Sequence, residues 1–160
     1  MPKTKNIIIF TALIALLFVL LAWPKIANPY RKLIKTWKAT GVDCINEGVT
    51  PLAQHIHPTL KITIDGAEEE VPPDIGIVRG CTAELHTHDG TGQIHVESPR
   101  ADEKFTFSQF LIIWGKSLER EGYSLKLTAD GVEVKDPKDI VLKDKQEIVV
   151  EYTSRKTSDQ

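Results

Sequence analysis

All five histidines of this chain, His55, His57, His86, His88 and His95, fall between positions 55 and 95, four of them as two H-x-H pairs. The stretch Leu85–Ser98, LHTHDGTGQIHVES, alternates apolar and polar side chains, breaks at Asp89-Gly90-Thr91-Gly92, and alternates again, the pattern of two strands joined by a tight turn. With Gly90 and Thr91 as the two loop residues, His86 faces His95, Thr87 faces Ile94 and His88 faces Gln93. That register places His86, His88, His95 and Glu97 on one face and Leu85, Thr87, Ile94 and Val96 on the other. Directly opposed β-carbons lie ~5 Å apart, close enough for two imidazole nitrogens to reach one metal ion at ~2.0–2.1 Å each. A three-residue loop would slip the register and scatter the set.

His55 to Ile64 alternates in the same way, with Ile56, Leu60, Ile62 and Ile64 on one side and His55 and His57 on the other, and ends at the Asp65-Gly66 turn. If this strand lies beside the hairpin, the five imidazoles converge. The reading is a metal site made of His55, His57, His86, His88 and His95, with Asp89 and Glu97 as outer carboxylates orienting the rings. Neutral imidazoles suit zinc and Cu²⁺. The plainer alternative is a hydrogen-bond network in which the histidines order the hairpin and its turn.

Three histidines with an open position and Glu97 as base would be the minimum for metal-assisted hydrolysis. No nucleophile elbow, phosphate-binding loop or dinucleotide fingerprint accompanies them. A barrel hydrolase built on H-x-H needs well over 200 residues. A binding module is therefore favoured over an enzyme, and no catalytic residue is assigned.

The elements that must position this set come from the rest of the chain. The seven basic residues before position 40 stand without one acid, whereas the remainder carries all 22 acids. An acidic domain argues against a nucleic-acid partner, which requires clustered Lys and Arg. Asn6–Trp23 contains no charge, and as a helix of ~1.5 Å rise per residue it is just long enough to span a bilayer. Lys3 and Lys5 before it would equally suit a signal peptide, but no small-x-small cleavage site follows. Tyr30, Leu33, Ile34 and Trp37 then recur at helical spacing, with Arg31, Lys32, Lys35 and Lys38 opposite, a basic amphipathic helix suited to anionic headgroups or to neighbouring membrane helices; its alternative is an ordinary helix covering the domain.

Two rules disagree on topology. The excess of cations after the anchor favours a cytoplasmic domain. The only two cysteines, Cys44 and Cys81, favour an oxidising compartment if they pair as a disulfide, although two separate buried thiols fit the count equally.

Cys44, H-I-H-P-T-L at 55–60, P-x-x-I-G-I at 73–78, Cys81, L-H-T-H-D at 85–89, G-x-I-H-V-E-S-P at 92–99 and Trp114-Gly115 together resemble a family of small bacterial and archaeal proteins, often exported or anchored by one N-terminal helix. The resemblance covers about Cys44 to Gly115; the acidic run Glu68-Glu69-Glu70 departs from it. It implies no particular activity. It does imply that the histidine set and the cysteine pair are parts of one design, and that the domain is extracytoplasmic, periplasmic or at the cell surface.

Further along, Thr106 and Gln109 form a capping box ahead of Phe107, Phe110, Leu111, Trp114 and Leu118 at helical spacing, with Gly122 as the stop. Tyr123–Leu127, Val132–Val134 and Glu147–Tyr152 read as strands, the first two joined by Asp130-Gly131. The expected architecture is α+β: a mixed, β-grasp-like sheet with one main helix, behind a single transmembrane helix. The expected divisions are 1–24, a transmembrane anchor; 25–40, the juxtamembrane helix; 41–152, an extracytoplasmic domain; and 153–160, a disordered tail. The function expected is a membrane-anchored, copper- or zinc-binding domain acting with a membrane complex; the alternative is an accessory subunit of such a complex whose histidines are structural.

Overall fold

Turn chemistry and alternation account for most of the main sheet. The computed structural model describes residues 12–18 and 29–155. Its larger sheet has strand order β10-β9-β11-β3-β4, with β3 at Thr59–Ile64, β4 at Ala67–Glu69, β9 at Tyr123–Ala129, β10 at Val132–Glu133 and β11 at Glu147–Ser154. Asp65-Gly66 and Asp130-Gly131 join the β3–β4 and β9–β10 hairpins, and both residues of each pair have positive φ, the backbone whose twist matches antiparallel strands. The central strands β11 and β3 run parallel, Glu147 beside Thr59 through Tyr152 beside Ile64. Alternation buries Leu60 and Ile62 on β3 and Ile148, Val150 and Tyr152 on β11.

Two helices frame the core. Helix α1, Arg31–Ala39, buries Trp37, and α2, Phe107–Trp114, buries Phe107, Phe110, Leu111 and Ile113 in the same apolar cluster as Leu60 and Val150. At the start of α2 the Gln109 side chain accepts from the Thr106 N–H at 2.7 Å, while its amide donates to the Thr40 carbonyl. The helix ends at Gly115 in the left-handed conformation, not at Gly122. Gly115 and Lys116 cap the carbonyls of the last turn with their N–H groups, so Leu118 joins the core from the following loop.

Among the described residues the expected single sheet is three. Besides the larger one, β1 (Cys44–Ile45), β6 (Cys81–Ala83) and β5 (Ile77–Val78) form one three-stranded sheet, and β2 (Gln54–Ile56), β8 (His95–Ser98) and β7 (Leu85–His86) form another. The continuous strand expected from His55 to Ile64 breaks at His57-Pro58, sending β2 and β3 into different sheets. Pro58 has no N–H to donate to a ladder. Its carbonyl instead accepts from Ile94, while Leu60 donates to Gly92, so the turn of the histidine hairpin is stapled onto β3. Gly92, at φ 78°, passes so close that an added Cβ would sit 2.2 Å from the Leu60 carbonyl oxygen. A Cys44–Cys81 disulfide bridges β1 and β6.

The membrane expectation is corrected here. Among the described residues no helix is long and apolar enough to cross a membrane. Of Asn6–Trp23 only residues 12–18 are described, and they are helical. The rest of that stretch lies outside the described residues. The expected transmembrane anchor, and with it the single-pass membrane localisation of an extracytoplasmic domain, are not supported. The basic amphipathic helix keeps its ordinary alternative, because Trp37 is 2% exposed within the apolar core. At the other end β11 continues through Thr153 and Ser154, where Asp65 accepts from the Ser154 backbone and hydroxyl; residues 156–160 of the expected tail lie outside the described residues.

The chain divides into two compact units, Met1–Leu33 and Ile34–Gln160. All the sheets and the histidines belong to the second.

Candidate metal centre

The small β2-β8-β7 sheet positions the histidines. Leu85 pairs with Val96 and His86 with His95, the register expected from a Gly90-Thr91 loop. The ladder stops there, because Thr87 donates its N–H to Ile75 and Ile94 donates to Pro58 instead of to each other. β2 lies on the other side of β8 with His55 opposite Glu97. The first H-x-H pair therefore does sit beside the hairpin.

His86 is fully buried, and its Nδ1 donates to the Ala83 carbonyl at 2.8 Å. Burial drives its pKa down to about 4, against the smaller opposing pulls of that hydrogen bond and of Glu97. At neutral pH the ring is uncharged, with the Nε2 lone pair facing the cluster. His88 Nε2 stands 3.1 Å from His86 Nε2, and 3.4 Å from a Glu47 carboxylate oxygen. Two nitrogens each ~2.0–2.1 Å from one tetrahedral ion are ~3.3–3.4 Å apart. The observed spacing needs little change to hold one.

His95 is the hub. Its ring stacks on His86 at 5.3 Å and 18°, meets His88 at 4.5 Å and His57 at 4.7 Å edge-on, and lies 6.0 Å from His55. Burial, followed by repulsion from His88 and His57, holds its pKa below the ordinary imidazole value. Its Nδ1 is buried without a hydrogen-bond partner; the nearest carboxylate oxygen, Glu97 Oε1, is 3.6 Å away. The same Oε1 lies 3.1 Å from His55 Nε2. Glu97, only 6% exposed, thus reaches into the cluster from β8.

The donor atoms fall into two overlapping groups, each within 4.8 Å from atom to atom: His86, His88, His95 and Glu97, and His55, His57 and His95. All five histidines and Glu97 are brought together. Asp89 is not used in this way: its carboxylate accepts from the Thr91 N–H and hydroxyl, fixing the turn. Sequence reasoning missed Glu47, which sits in an irregular loop with no periodicity to mark which way its side chain faces.

A second buried carboxylate supports the centre. Glu84, fully buried, accepts from the Asp43 N–H, the Ser98 hydroxyl and the Arg100 guanidinium, all at 2.7–2.8 Å. It ties the loop after α1 to the end of β8. Comparison with protein-family models, curated proteins and solved structures finds no match to this chain.

Proposed function

We propose that this chain is a binding domain for a divalent cation that prefers nitrogen ligands, zinc or Cu²⁺, taken by His86, His88, His95 and Glu97 with His55 and His57 beside them. The observation that carries the reading is the 3.1 Å approach of His86 Nε2 to His88 Nε2 while His86 Nδ1 is committed to Ala83. A fixed Nδ1–H aims the other ring nitrogen at the centre, the usual way a protein orients a ligating imidazole. Both cysteines are in the disulfide, so no thiolate is present to favour Cu(I).

A second reading has its own support. His88 donating to His86, His86 to Ala83 and His55 to Glu97 would hold the hairpin by hydrogen bonds alone. It leaves the buried His95 Nδ1 without a partner, a group that ordinarily finds one. Metal content of the purified full chain, beside a His86→Ala/His88→Ala variant, separates the two. Stoichiometric zinc or copper that is lost in the variant supports the metal reading. Failure to take up either ion at micromolar concentrations overturns it in favour of the structural network.

A further inference from the structure

We propose that the cluster holds two cations at once, at unequal stations that share His95; this rests on the metal-binding reading above. The two donor groups have only His95 in common. An imidazole has two ring nitrogens, each able to bind a metal, so one residue can serve both groups without either losing a ligand. Five imidazoles around one ion would also exceed the four positions of a tetrahedral site.

The stations differ in environment. The inner one has the fully buried His86, with its Nδ1 already committed, together with His88 and the buried Glu97 carboxylate, whose charge partly offsets that of the cation. The outer one is formed by His55 and His57. The His55 side chain is 48% exposed, and its Nε2 now contacts Glu97. A ligand buried and fixed by an outer partner holds metal more tightly than an exposed one, outer partners alone being worth ~10–100-fold in affinity. The inner ion is retained and the outer ion exchanges with solvent.

For His95 to bridge, both ring nitrogens must present lone pairs. Its one N–H proton passes to solvent as the second cation binds, leaving an imidazolate between the two ions. The chain thereby gains an order of loading: the first cation enters the inner station with His95 neutral, and the second binds with release of one additional proton.

Cu²⁺ titration of the full-length chain, followed by electron paramagnetic resonance and by metal content after gel filtration, tests this. The expected result is two equivalents, the second at least ~10-fold weaker. The resonance should grow with the first equivalent and fall with the second, because an imidazolate couples the two unpaired spins. The His55→Ala/His57→Ala variant changes exposed or half-buried side chains; it should keep the first equivalent and its signal and lose the second. A single equivalent in both proteins overturns the two-station proposal and leaves the metal reading intact. Two equivalents whose signals simply add would overturn the sharing of His95, and no binding at all would overturn both readings.

Discussion

The larger sheet and the histidine sheet bury side chains of opposite character. Around β3, β9 and β11 the buried set is almost wholly apolar, with Leu60, Ile62, Leu127, Ile148 and Val150 meeting Phe107 and Phe110. Around β7 and β8 the chain buries Glu84, His86, Thr87, Glu97 and Ser98. Apolar burial stabilises without regard to direction, whereas each buried polar group costs free energy unless a partner is supplied. Glu84, Thr87 and Ser98 have theirs. The His95 Nδ1 does not. The difference teaches that the apolar half gains stability from burial alone, whereas the polar half depends on partners being supplied, and at His95 a ligand would supply one.

The comparison is tested most severely by one large truncation in each half. Phe110→Ala should cost ~3–5 kcal/mol through lost burial and cavity formation and leave metal stoichiometry unchanged in the folded fraction. Glu84→Ala should cost ~2–5 kcal/mol, here because the Ser98 hydroxyl and the Asp43 N–H lose their buried acceptor, and should in addition weaken metal binding. Urea unfolding with parallel metal titration measures both; equal effects on metal binding would erase the distinction between the halves.

Cys44→Ser with Cys81→Ser should destabilise by ~3–4 kcal/mol from loop-closure entropy, given a separation of 37 residues. The loss should appear as a lower urea midpoint, and a midpoint within error of the parent would show that the hydrogen bonds of Glu84 already hold β1 to β6.

The pH dependence distinguishes the halves with a smaller effect. In the metal-free chain His86 has a folded pKa of about 4, below its unfolded value of 6.5. The unfolded state therefore takes the proton first as pH falls. Stability due to the neutral buried ring is complete above about pH 6.5, declines between about 6.5 and 4, and amounts to ~3 kcal/mol over that window. His95 shifts in the same direction and adds to the loss. Unfolding free energy measured from pH 7.5 to 4.5 should fall, and His86→Gln should flatten the slope. Metal bound at neutral pH should steepen it, because protons then compete with the ion.

Asp89→Ala should have the smallest effect, ~1 kcal/mol or less, since its hydrogen bonds to Thr91 are exposed. Metal affinity should stay within a few-fold of the parent. A larger loss would place Asp89 among the groups that orient the histidines.

Much of this molecule was legible along the chain. The Asp65-Gly66 turn, the Asp130-Gly131 hairpin, the strands from Tyr123 onward and the pairing of His86 with His95 follow from alternation and turn residues, all local over a few positions. The end of α2 was misplaced because Leu118 continues the helical spacing after Gly115 has already closed the helix. The strand from His55 was drawn too long because alternation continues across Pro58 while the hydrogen-bond partners change. The apolar run near the N-terminus suggested a membrane span, whereas the described residues contain no helix long enough for one.

The sequence by itself placed the two histidines of each H-x-H pair on one face of an extended segment, because the period of a strand is set by covalent geometry. Only the tertiary structure decided that they meet. Antiparallel pairing of β2 with β8 sets His55 opposite Glu97, the Pro58 bend carries His57 toward His95, and burial strips the proton from His86. Those outcomes depend on contacts between segments far apart in the chain and on loss of solvent, neither of which a local pattern of side chains contains.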